Sequence, residues 1–276
     1  LLDFADLTVD GSIATGAAVS VMLIRAGVSP IATLPIAFLA GALAGMVTGL
    51  LNTALGIPGI LASILTQISL YSINLNIMGK ANQPVSVDNY PLVVSLRYVT
   101  DGSMSRLLFF LGMIVFLLAL IAVMYWYFGT EQGHAIRATG CNSNMARAQG
   151  INTNFIKVLA LMISNGLVGL CGALYGQFQG ASDVNMGRGA IVIGLAAVII
   201  GEVLFGKFAS KRKLAFAFTL ASVILGAVIY YMVYQFVLWL KMPSEDMKLF
   251  SAIVVAIFLA IPYLKEKRTL RKGASK

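Results

Sequence analysis

Apolar residues run in long blocks along this chain, separated by short polar stretches. Eight blocks stand out, at about 12–27, 30–55, 58–78, 105–128, 155–178, 189–206, 214–240 and 248–264. Most reach the roughly 20 residues that a helix needs to cross about 30 Å of hydrocarbon. The first is short enough for a half-helix. Pro30 and Pro58 stand at block starts, where a missing N–H costs no helical hydrogen bond. The pattern predicts an all-α polytopic membrane protein with about eight transmembrane helices, forming a single domain over residues 1–276.

Composition supports this. Of 276 residues, 59% are hydrophobic and 11% charged, and the mean hydropathy is +0.87. A soluble domain carries about 25% charged residues, so these charges are too few to cover a wetted surface. The net charge of +9 suggests nucleic acid at first sight, but the basic residues flank apolar blocks, as topology signals do. No nucleic-acid partner is expected. Thirteen of the 20 Lys and Arg residues fall in the loop 129–157, the loop 206–213 and the tail after residue 264. The positive-inside rule places those three regions in the cytoplasm.

Two polar stretches, Ala5–Ala14 and Ala181–Ala190, each precede a Gly- and Ala-rich block. They match at 5/181, 11/187 and 14/190, and parity puts them on opposite sides. An inverted-topology repeat gives that arrangement, with halves at about 1–104 and 105–276; two unrelated loops remain the alternative. Gly41, Gly45 and Gly49 form a double G-x-x-x-G, and Gly166, Gly169, Gly172 and Gly176 line a second block. Small faces let helices approach closely in lipid, either within the bundle or at a subunit-dimer face.

Polar groups within spans are expected to face protein or a wet cavity. Gln67, Ser69, Ser72, Asn74 and Asn76 share one block, and Asn165, Gln177 and Gln179 lie in or beside another. Ser69, Ser72 and Asn76 follow i, i+3, i+7 spacing and share a face. Ser72 and Asn76, with Asn165 and Gln177 opposite, are the expected lining of a translocation pathway, with Asp10 and Asp6 near its mouth. Hydrogen bonding between helices is the alternative for each.

Other chemistry finds little footing. Gly201–Lys207 imitates a P-loop, but Phe208 stands where Ser or Thr is required. His134 is the only histidine, and Cys141 and Cys171 have no metal-site spacing. No cofactor or metal is expected in this chain. A stand-alone secondary transporter would want paired ionisable groups at mid-membrane, and the central blocks lack them away from their edges. A membrane-embedded enzyme would want a His/Asp or Ser/Lys constellation.

The stretch 129–152 is polar and predicted to be cytoplasmic. Asn142 or Ser143 can cap a short helix that Gly150 stops. Ala135-Ile136-Arg137-Ala138-Thr139-Gly140, then Asn142, Ala146 and Gly150-Ile151-Asn152, resembles the coupling loop of permeases in the branched-chain amino acid and ribose importer superfamily. Leu2–Ser12, Leu70–Leu75, Ile77–Gly79, Ser164–Leu167, Asp183–Gly187 and Ile199–Glu202 are similar to uncharacterised permeases encoded beside tryptophan- or tyrosine-type binding proteins. The resemblance covers nearly the whole chain. It implies a type II ABC importer in the bacterial plasma (inner) membrane. Its implied partners are a second permease subunit as a homodimer, an ABC ATPase carrying ATP and Mg, and an extracytoplasmic substrate-binding protein. It implies an amino-acid cargo, an aromatic one among the candidates, and one more hydrophobic segment ahead of Leu1. It also assigns Arg137, Ala138, Thr139, Gly140, Asn142, Met145, Ala146 and Gly150 to ATPase coupling.

Overall fold

The computed structural model describes residues 4–86, 90, 92–95, 103–209, 215–239, 253 and 256. Its helices, in chain order, are α1 (Thr8–Arg25), α2 (Pro30–Thr53), α3 (Gly59–Met78), α4 (Ser103–Phe128), α5 (Glu131–Cys141), α6 (Ser143–Ala148), α7 (Thr153–Gln179), α8 (Ala190–Ala209) and α9 (Ala215–Trp239). Five stretches are long and apolar enough to cross a membrane: Pro30–Thr53, Gly59–Met78, Arg106–Phe128, Thr153–Gln179 and Ala217–Gln235. Ala190–Leu204 is a shorter apolar helix. The expected count of eight is therefore met only in part among the described residues, which include only 253 and 256 of the block at 248–264. α1 carries too many hydroxyls and small residues to stand with the five.

Leu1–Leu120 and Trp126–Arg188 form one compact unit, and Ile121–Tyr125 and Gly189–Lys276 a second. In the first, α1 packs against α2, α3 and α7, and α2 packs along α7. Glycine makes that packing possible. A Cβ on Gly169 would come within 2.6 Å of the Ala37 carbonyl oxygen, and one on Gly45 within 3.0 Å of the Asn165 Cβ. A Cβ on Gly49 would lie 2.9 Å from the Val158 Cα. The double G-x-x-x-G thus serves the interior of the bundle, where α2 and α7 meet backbone to backbone. In the second unit, α8 packs on α9 around Ala196, Ile200 and Tyr230.

The expectation of a purely helical chain needs one correction. β1 (Asn82–Pro84) pairs antiparallel with β2 (Ala181–Asp183), Gln83 opposite Ser182. Three residues are too few to display a period-2 pattern, so the pairing leaves no local signal. The sheet is tied to the end of α1: the Arg25 guanidinium donates to the Gln83 side-chain oxygen. Gln83 in turn donates to the Met78 carbonyl at 2.6 Å. Val21, Ile24, Val85 and Leu92 close an apolar cluster beside it.

Candidate functional site

α1 is held by polar contacts at three levels. Near its start, the Thr8, Thr48 and Thr66 hydroxyls form a chain at 2.7 and 2.9 Å. One turn on, Ser12 donates to the Asn165 side-chain oxygen at 2.6 Å. The Asn165 amide nitrogen donates to the Asp6 carboxylate, also at 2.6 Å. Toward the end of α1, the Gln177 amide nitrogen reaches Ser20, the Pro30 carbonyl and Thr33 at 3.2–3.3 Å. The Val93 N–H donates to the Gln177 oxygen at 3.0 Å. Asn165 and Gln177 are fully buried and satisfied on both ends of their amides.

The residues expected to line a pathway fall in different places. Asn165 and Gln177 do not face Ser72 and Asn76, because their amides are spent joining α7 to α1 and α2. Ser72 and Asn76 are exposed. The face that α3 turns inward carries Ala62, Ser63, Thr66, Leu70, Asn74 and Met78.

Asp10, by contrast, borders a cavity of about 320 Å³ with Gln67, Tyr71, Asn74 and Arg188. Three of these lie on the middle turns of α3. Asn74 is 0% exposed, and neither its side-chain nitrogen nor its oxygen has a hydrogen-bond partner. Arg188 arrives through a close approach that only glycine permits: a Cβ on Gly187 would run into the Asp10 backbone. Gln67 and Asn74 stood among the polar residues of α3, whereas Arg188 went unnoticed as a site. Its signal is the polar stretch 181–190, which matches 5–14 at Ala181, Gly187 and Ala190.

At the loop 129–152 the chain makes two short helices where one was expected. The Thr130 hydroxyl caps α5 at the Gly133 N–H, 3.4 Å away. Asn142 caps α6, accepting from the Asn144 and Met145 N–H groups at 3.1 and 3.0 Å. Asn152 caps α7 at the Phe155 N–H. Gly150 follows α6 with φ +84°, a left-handed conformation that stops the helix. The Arg137 guanidinium lies 5.9 Å from the centre of the Phe128 ring. Of the residues assigned to coupling, Ala138, Asn142, Met145 and Gly150 are exposed, Arg137 and Gly140 are half-buried, and Thr139 and Ala146 are buried. Met145 is 65% exposed and its neighbour Ala146 only 4%. α6 therefore anchors through Ala146 and presents Met145. Phe4, Thr139, Gly140, Asn142, Ser143 and Lys157 surround a second cavity of about 320 Å³ beneath the junction of the two helices.

A family model described as "Branched-chain amino acid transport system / permease component" matches residues 2–262. A tyrosine transport system permease protein of Clostridioides difficile (strain R20291) is 39% identical over 260 residues, covering 94% of this chain and 82% of that protein. An uncharacterized protein of Rickettsia prowazekii (strain Madrid E) is 30% identical over 264 residues, 94% of this chain and 88% of its own length. An inner membrane ABC transporter permease protein of Escherichia coli (strain K12) is 26% identical over 200 residues, 72% of this chain and 59% of that one. No solved structure is significantly similar.

Proposed function

This chain belongs to the permease-component family of branched-chain amino acid transport systems, and from that premise we propose that it carries an amino acid into the cytoplasm at the expense of ATP hydrolysed by a partner subunit. It is an ABC-type transport permease of the bacterial inner membrane. The proposed partners are an ABC ATPase, a substrate-binding protein outside the membrane and a second copy of the permease. The proposed cargo is an amino acid, an aromatic one among the candidates, since a relative at 39% identity is named for tyrosine transport.

The observation that carries the ATP-driven reading is the capped helix pair α5–α6 between two long apolar helices. Each short helix has its own side-chain cap, and the pair is anchored by buried Ile136 and Ala146. Exposed Met145 stands next to buried Ala146, which suits a rigid knob seated in a groove of a soluble partner. Residues 1–104 and 105–276 as inverted repeats also fit this reading. The matched glycines Gly11 and Gly187 both lie where the chain packs closely, one against Leu70 and the other against Asp10.

The test is reconstitution with the neighbouring ATPase and binding protein in proteoliposomes. Met145→Glu is expected to weaken ATPase association at least about tenfold and to lower substrate-stimulated hydrolysis, with membrane insertion intact. Ala146→Arg is expected to reduce the folded yield, because it drives a charge into a buried site. Normal stimulated hydrolysis in Met145→Glu would overturn the coupling assignment. Import at full rate with no ATPase present would place the protein among ion-coupled transporters.

A further inference from the structure

Asp10 and Arg188 border one cavity beside the middle of a membrane-length helix, together with a buried side-chain amide that has no partner. Asp10 is half-buried and Arg188 exposed at the cavity's edge; ionisable groups among membrane-length helices mark solute pathways when they occur. An unpaired buried amide is costly. Asn74 offers two donors and an acceptor, and none of its neighbours in the fold uses them. The stretch 181–188 reaches this position through Gly187, held against the Asp10 backbone. That close approach fixes where Arg188 begins.

We infer that this cavity is a solute subsite that takes a zwitterionic α-amino acid, Arg188 meeting its carboxylate and Asp10 its ammonium group. The inference rests on the amino-acid reading above and assigns it a place in the chain. The chemistry selects this class of solute. A guanidinium matches a carboxylate in fork geometry. A carboxylate matches an ammonium group by charge-assisted hydrogen bonds. A zwitterion can contact both groups at once, whereas an organic acid or amine contacts one. Asn74 and Gln67 can donate to the carboxylate and accept from the ammonium group. Ile68, Tyr71 and Val184 supply an apolar wall for the side chain. The volume of about 320 Å³ lies at the lower end of the roughly 300–1,000 Å³ usual for small-molecule sites. That suits one amino acid and not a nucleotide.

Two measurements on the permease–ATPase complex in nanodiscs test this. The first is binding of L-tyrosine, tyramine and 3-(4-hydroxyphenyl)propionate without binding protein, read by saturation-transfer NMR. The second is import of L-tyrosine and L-leucine by the complete system in proteoliposomes. Wild type should prefer L-tyrosine over each truncated probe by about tenfold, the size expected for one charge-assisted contact. Arg188→Gln should abolish the preference over tyramine and leave that over the propionate. Asp10→Asn should do the reverse. Arg188→Lys and Asp10→Glu should restore part of each preference. These are ratios within one variant, so they do not depend on how much of it folds; should a neutral variant yield no folded complex, its charge-keeping partner is compared with wild type in the same way. If the complete system imports an amino acid but the ratios do not move in either variant, the subsite is wrong and the functional reading stands. If wild type imports neither amino acid and prefers neither over the truncated probes, both are wrong.

Discussion

The Asn165 side chain donates to the Asp6 carboxylate at 2.6 Å, bridging 159 residues of sequence. This contact pins the chain just before α1 to the middle of α7. The other end of the same amide accepts from Ser12 at 2.6 Å, so one side chain holds α1 from two sides. Asn165→Leu removes both partners and leaves a carboxylate and a hydroxyl without their mates. We expect a loss of about 1–3 kcal/mol, seen as a lower thermal midpoint in detergent. Folded Asn165→Leu should retain the uptake rate per molecule. A normal midpoint with slowed uptake would return Asn165 to the pathway.

Helix packing gives a sharper contrast. A Cβ on Gly41 would meet the Asn165 backbone and, at 3.1 Å, the Gly169 Cα, while one on Gly112 in α4 would meet nothing within 4 Å. Gly41→Val should collapse the folded yield by forcing α2 off α7. Gly112→Ala should be neutral or slightly stabilising, since alanine suits a helix better than glycine by about 1 kcal/mol. Equal yields for the two variants would contradict the packing of α2 on α7.

The orientation inferred from basic residues can be read with thiol chemistry. Cys141 is exposed at the end of α5, on the predicted cytoplasmic face, and Lys80 is exposed just after α3, on the opposite one. In a Cys171→Ser background, an impermeant maleimide added to intact cells should label Lys80→Cys and spare native Cys141. Labelling of Cys141 from outside would invert the topology. Asn89, Ser210 and Ser244 sit in loops by the hydropathy pattern but lie outside the described residues.

What the sequence made legible is uneven for physical reasons. The long apolar blocks, the glycine spacing of α2 and the Asn142 cap are local signals, and each appears where spacing placed it. The polar residues of α3 were visible as polar, but their rotation about the helix axis was not. Successive residues turn by about 100°, so Asn74 points inward while Ser72 and Asn76, two positions either side, are exposed. Asn165 and Gln177 were likewise recognisable as buried amides, but their partners Ser12 and Ser20 lie more than 150 residues away. Arg188 falls in the stretch 181–190, which parity places between two apolar blocks. Nothing local announces that the stretch after β2 returns alongside α1.

The three polar levels along α1 have a mechanical meaning. Their partners sit at fixed heights on α2, α3 and α7, and the glycine contacts leave no lubricating layer of side chains between the backbones. A slide of α1 by one residue, about 1.5 Å, would unseat all three levels together. Shear inside this block therefore breaks every level at once, and α1, α2 and α7 are expected to move together in any change of conformation.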